Sequence, residues 1–140
     1  MNNHSITFNI IELSFNNEIK MSIFPVLTID TAPSASITEL QQTQSNFGFI
    51  PNLIGVMANS PSVINAYLSI ADIFSKSSLT ATEQQIVLLT VSHFHECNYC
   101  VAAHSTIAGM QNVNSDVIQA IRNDQPLNDK KLEALRHFTR

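Results

Sequence analysis

Charge is scarce in this sequence. Only 13% of its 140 residues are Asp, Glu, Lys or Arg, about half of what a globular protein usually carries. The net charge is −4 and no basic run occurs, which argues against a nucleic-acid interface or a docking surface for anionic membranes. A surface with so few charges is expected to be partly covered by self-association. Long apolar runs are missing as well: no stretch approaches the ~20 residues of a membrane span. A secretory leader is not expected either. Residues 1–5 lack a basic segment, and Asn9, Glu12, Asn16 and Asn17 interrupt any apolar stretch. The expected location is therefore the cytoplasm. Cysteine is limited to two residues. In a reducing cytosol, a lone pair points to catalysis or metal binding rather than to a permanent staple.

What is present suits one domain with a modest core, since 44% of the residues are apolar. Residues 1–20 stand apart. Ile6, Phe8 and Ile10 alternate with polar residues, then Ile11, Leu13 and Phe15 alternate in the opposite phase, a weak strand signal with a slip. Met21 opens a better-organised sequence and is the expected natural start. Residues 1–20 thus read as an atypical extension and 21–140 as a single helical domain with its motif region at 60–123.

Within that domain, residues 25–33 read as extended chain. Ser36-Ile-Thr-Glu39 has the form of a capping box and predicts a helix over 37–47, stopped by Gly48. Pro51 and Asn52 predict a turn, and 53–58 one or two helical turns. Ser60-Pro61 supplies an N-cap with proline behind it. Val63, Ala66, Tyr67, Ile70, Ala71 and Phe74 then give an amphipathic face. Thr80-Ala-Thr-Glu83 is a second capping box. The helix after it carries Ile86, Val87, Leu88, Leu89, Val91 and Phe94, apolar nearly all round, and should be central and buried. A helix over 97–109 with Gly109 as its C-cap follows, then one over 115–123 burying Val117, Ile118 and Ile121. Asn128 should cap a last helix with Leu132, Leu135 and Phe138 on one face, running to Arg140 as if cut in mid-helix. The expected fold class is all-α.

Cys97, Cys100 and His104 follow a CxxCxxxH spacing, which puts all three on one helix face. A thiolate is the nucleophile, and an ordinary thiol with pKa ~8.5 is only a few per cent thiolate at neutral pH. A helix N-terminus favours the anion, a histidine one turn along can take a proton, and a second cysteine can resolve a sulfenic acid into a disulfide. His104 sits at i+4 from Cys100 and not from Cys97, so Cys100 is expected to be the more reactive thiol. Zinc is the competing reading, with His93, His95, Cys97, Cys100 and His104 within twelve residues. A second cysteine pair, usual in such sites, is absent. His93 and His95 near a helix C-terminus also fit a structural role against its last carbonyls.

Leu79-Thr-Ala-Thr-Glu-Gln-Gln-Ile-Val-Leu-Leu-Thr-Val-Ser92, followed by Cys97-Asn-Tyr-Cys-Val-Ala-Ala-His104, resembles the carboxymuconolactone decarboxylase-like superfamily. Within it, the likeness is to the alkylhydroperoxidase D-like, peroxidase-related branch. The approach segment Phe47-Gly-Phe-Ile-Pro-Asn-Leu-Ile-Gly-Val-Met-Ala-Asn-Ser-Pro61 is similar to that branch too. The resemblance spans about residues 24–140. It implies a compact all-α domain, homo-oligomers (trimers or multiples) and reduction of hydroperoxides without a metal or organic cofactor. It implies Cys100 as the peroxidatic thiol, Cys97 as the resolving one and His104 in the proton relay. The implied reductant is a dithiol, protein or lipoyl-type. Three departures accompany it. The relay glutamate of the family corresponds to Gln85, which cannot accept a proton; Glu83 is nearby but belongs to the capping box. Tyr99 stands where some members have histidine. Members usually continue beyond the position of Arg140, so the chain reads as a C-terminally truncated relative. A metal-binding or redox-sensing module without turnover, or an inactive truncated relative, are the alternatives.

Overall fold

The computed structural model describes residues 24–140, so the strand signal of residues 1–20 and the start at Met21 lie outside the described residues. Among the described residues the protein is all-helical: seven α-helices and one 3₁₀ turn, with no strand. They fall into two compact units, 24–59 and Ser60–Arg140.

The first unit holds α1 (Ile37–Phe47) and α2 (Asn52–Met57). Gly48 ends α1 in the left-handed conformation at φ 79°, as its sequence position predicts. The capping box at its start does not form. Residues Ser34–Ser36 make a 3₁₀ turn that runs directly into α1. Ser36 is thereby buried, and its hydroxyl donates to Ala58 O at 2.9 Å instead of accepting from α1. The extended segment before this turn is tied to α2: Leu27 N–H donates to Gly55 O at 3.0 Å, and Asn59 Nδ2 to Pro25 O at 2.8 Å. Gly55 is required there, because a Cβ would lie 2.8 Å from Leu27 O.

The second unit contains α3 (Pro61–Ser75), α4 (Ala81–Phe94), α5 (Asn98–Met110), α6 (Ser115–Arg122) and α7 (Lys130–Thr139). Helix α4 is central, packing against α3, α5, α6 and α7. The core gathers Ile86 and Leu89 of α4, Ala108 of α5, Ile118 and Ile121 of α6, and Val113 and Leu127 of the connections. The Thr80 capping box forms in full: Glu83 N–H donates to Thr80 Oγ1, and Thr80 N–H donates back to Glu83 Oε2 at 2.8 Å.

Helices α4, α5 and α6 end on the same device. Glu96, Asn112 and Asp124 take positive φ just past each end. The amides of Cys97, Val113 and Gln125 each reach a carbonyl five residues back. Gly109 therefore lies inside α5, and Asn112 makes the turn predicted for it; Asn tolerates this conformation because its short polar side chain bonds locally. The cap of α7 is Asp129 rather than Asn128, its carboxylate accepting from Lys131 and Leu132 N–H.

Three apolar faces differ from the pattern expected of them. On α3 only Ile64 is buried, while Val63, Tyr67, Ile70 and Ile73 are exposed. On α7 Leu132 and Leu135 join the core, but Phe138 is 89% exposed. Helix α4 keeps its centre buried yet exposes Val91 and Phe94. No helix among the described residues is long and apolar enough to cross a membrane.

Candidate active site

The short link between α4 and α5 places Cys97. Glu96, at φ 54°, reverses the chain, and the amide of Cys97 closes the end of α4 on Ser92 O at 2.9 Å. Cys97 then serves as N-cap of α5, its Sγ accepting the Cys100 N–H at 3.3 Å. Cys97 and Cys100 are joined as a disulfide across this first turn, with Cα atoms 5.3 Å apart. The pair predicted from CxxC spacing is thus assembled at a helix N-terminus, one residue later than a helix opening at Cys97 itself.

His104 lies one turn beyond Cys100 on α5 and is partly buried. Burial pushes its imidazole below the ordinary histidine value. Its Nδ1 is buried with no hydrogen-bond partner among the described residues. The ring is therefore a neutral base at pH 7, able to take a proton but supplying no cation.

The two relay candidates on α4 are separated in role. Glu83 is buried at the helix start, where Lys131 of α7 pairs with it at 2.6 Å. The Lys131 ammonium, then the amide and hydroxyl of Thr80, hold its carboxyl down to about 2. This carboxylate is occupied as a cap and an ion pair. Gln85 is 4% exposed and gives its Nε2 to Gln111 Oε1 at the far end of α5, at 3.1 Å. Its Oε1 is buried with no hydrogen-bond partner among the described residues. Gln111 was not legible as a site neighbour, because nothing in its local sequence says which residue of α4 it faces. Tyr99 is exposed on the first turn of α5.

The potential zinc ligands are dispersed in role. His95 caps the end of α4 and packs edge-on against Phe94, with ring centroids 5.2 Å apart. His93 occupies the last turn of α4, a position favourable for a cationic side chain. The two sulfurs are bonded to each other, and no group of three or more His, Cys, Asp or Glu among the described residues is arranged to hold a metal ion.

Fold and site define a class: an all-helical protein with a disulfide-forming CxxC pair at the start of a helix packed on a central one. Residues 64–137, more than half of the chain, match the carboxymuconolactone decarboxylase family, and the chain belongs to that family. No curated protein matches the chain.

Proposed function

We propose that this protein is a thiol-dependent peroxidase of the alkylhydroperoxidase D-like branch, reducing hydroperoxides through Cys97 and Cys100. It acts in the cytoplasm as a homo-oligomer, a trimer or a multiple of one, and needs no metal or organic cofactor. The observation that carries this reading is the disulfide across the first turn of α5, with His104 one turn on.

Cys100 sulfur attacks the terminal peroxide oxygen while neutral His104 takes the thiol proton. The O–O bond breaks, the alkoxide leaves and is protonated to the alcohol, and Cys100 becomes a sulfenic acid. Cys97 sulfur attacks Cys100 sulfur, hydroxide departs and is protonated to water, and the disulfide forms. A dithiol, protein or lipoyl-type, returns the pair to thiols and is itself oxidised to a disulfide. Gln85 cannot accept a proton and Glu83 is committed to Thr80 and Lys131, so the proton transfer rests on His104.

A peroxide-consumption assay with a dithiol reductant tests this. The protein should turn over, Cys100→Ser should not, and Cys97→Ser should accumulate a sulfenic acid on Cys100 that a dimedone-type probe traps. Absence of turnover by the unmodified protein, or turnover that survives Cys100→Ser, refutes it.

A further inference from the structure

The strained turn in front of the cysteine pair carries a charge that the fold itself does not use. We infer that Glu96 is a specificity-determining residue for the pair. Its carboxylate turns away anionic hydroperoxides and anionic thiol reductants, and leaves neutral or cationic ones as the reagents of Cys97 and Cys100. This rests on the reading of the pair as redox-active and adds the charge class of what reaches it.

Three observations carry it. First, Glu96 takes φ 54°, a conformation disfavoured for a side chain with a Cβ. The other two non-glycine residues of positive φ among the described residues, Asn112 and Asp124, have a local reason for it. Asparagine tolerates the conformation through its short polar side chain. Asp124 accepts from Arg136 and Arg140 at 3.0 and 2.6 Å. The Glu96 side chain is exposed and makes no hydrogen bond or ion pair among the described residues. Only its backbone serves the turn, its N–H donating to His93 O at 2.9 Å, a task that glycine performs without strain. A strained residue whose side chain the fold leaves unused is a reason to look for a functional role.

Second, Glu96 is the only Asp, Glu, Lys or Arg between Glu83 and Asp116. The α4–α5 hairpin that holds the pair therefore presents one carboxylate and no lysine or arginine to offset it. The other titratable groups at this corner are His93, His95 and Tyr99. Arg122 reaches α5 from α6, but at Ser105, beyond His104.

Third, the charge is close to the chemistry. Glu96 and Cys97 are neighbours in the chain, with Cα atoms ~3.8 Å apart. The carboxylate thus stays within about 10 Å of the Cys97 sulfur, about one Debye length at 0.1 M salt. Both cysteines are half-buried, and a reagent that touches either sulfur comes under this charge. Two like charges about 6–10 Å apart at a protein surface repel enough to slow an encounter about two- to tenfold.

The test needs no peroxide. The reduced full chain is alkylated at pH 8 with neutral iodoacetamide and with anionic iodoacetate, and the ratio of the two rates is divided by that of a neutral free thiol, N-acetylcysteine amide. Both reagents meet the same thiolate, so any effect of Glu96 on thiol ionisation cancels in the ratio. The unmodified protein should favour iodoacetamide about two- to tenfold beyond the free thiol at low salt, and about 0.5 M salt should remove most of that preference. Glu96→Gln keeps the Cβ and the turn and should lose most of the preference at low salt. Glu96→Lys should reverse it. Circular dichroism checks that both variants fold. Reduction of the disulfide by neutral dithiothreitol against anionic dimercaptosuccinate should follow the same pattern. A glutamate that is merely structural would alter stability in the variants and leave both ratios unchanged. Ratios that Glu96→Gln leaves in place, or that salt does not move, overturn the inference. Peroxide consumption by the same preparations separates the two proposals. A charge preference that follows residue 96 without peroxide turnover sinks the peroxidase and leaves this inference; turnover with ratios indifferent to residue 96 does the opposite.

Discussion

Gln85 of α4 donates its amide to Gln111 at the end of α5, 3.1 Å away, and keeps its carbonyl oxygen buried without a hydrogen-bond partner among the described residues. The position that resembles the relay glutamate thus holds a neutral group turned toward a second neutral group. General-base assistance contributes about 10²–10⁴-fold to a rate, and part of it should be missing here. Gln85→Glu, close to isosteric, should raise the rate of thiol oxidation by hydroperoxide and add an acidic limb to the pH profile. Burial beside Ile86 and Leu89 opposes ionisation of the new carboxyl, so the gain should be largest at alkaline pH. Single-turnover oxidation across pH measures it. An unchanged profile in a folded variant would place Gln85 outside the relay.

His104 sets a second pH dependence. Burial lowers its folded-state pKa below the unfolded value of about 6.5. In the window between those two values the unfolded chain binds the proton and the folded one does not, so stability falls as pH drops below about 6.5. The base form also persists to lower pH than in a free imidazole. Peroxide reduction should therefore decline at lower pH than an ordinary imidazole would set, and His104→Asn should lower its plateau by about 10²-fold or more with little change in thermal stability at pH 8. A sharp loss of rate already at pH 7 would contradict the neutral assignment.

Much of this was legible in the sequence. The Thr80 box, the Gly48 stop and the proline after Ser60 act within one turn of chain, where local chemistry decides the outcome. The CxxC pair was legible for the same reason. What was missed depends on residues distant in sequence. Ser36 carries a capping signature, yet Ala58, 22 residues away, takes its hydroxyl. The end of α5 and the start of α7 differ from the sequence expectation because Asn112 and Asp129, rather than Gly109 and Asn128, make the turn and the cap there. The direction of Gln85 was not legible, since spacing places it on a face without saying that Gln111 lies opposite.

Arg136 anchors α7 from a nearly buried position. Its guanidinium donates to both oxygens of Glu133, at 2.9 and 3.0 Å, and to Asp124 at 3.0 Å. Glu133 also accepts the Leu127 N–H at 2.8 Å. Arg136, then that amide, hold the Glu133 carboxyl at about 2. Its folded value lies below the unfolded one, so the stabilisation is complete above about pH 5 and is lost as pH falls toward 2. Arg136→Ala should cost about 2–3 kcal/mol at pH 7. The penalty should shrink on acidification, because below about pH 4.5 Glu133 takes up a proton in the unfolded chain before it does in the folded one. Urea unfolding at pH 7 and pH 3 measures it; a penalty that is the same at both would show that packing, not the ion pair, is lost.

Glu96 holds a left-handed conformation between α4 and the disulfide. That geometry costs a side chain with a Cβ about 1 kcal/mol and is the usual place for glycine. Glu96→Gly should raise the thermal midpoint by a few degrees, less than the full strain because glycine also loosens the unfolded chain. Glu96→Val should lower it. Since the Cys97 amide closes the same turn, the valine variant should also slow thiol oxidation. A neutral valine substitution would mean that this turn is free to relax.

The exposed face of α3 bears on assembly. Ile70 and Ile73 are 68% and 69% exposed, and Val63 and Tyr67 extend the stripe along one side of the helix. Isolated apolar residues in water are ordinary, but a stripe of them on a protein this poor in charge is a candidate interaction surface. If copies of the chain meet there, a charge at its centre must be desolvated without a partner, at a cost of several kcal/mol. In a trimer that cost recurs at each interface. Ile70→Glu should therefore shift the protein to a smaller species at micromolar concentration, while the spectrum of the helices is retained. Ile70→Val, which keeps the surface apolar, should leave assembly intact. Light scattering coupled to gel filtration reads both. A stable monomer for the unmodified protein would remove the homo-oligomer from the proposed function. Persistence of the oligomer in Ile70→Glu would move the interface away from α3.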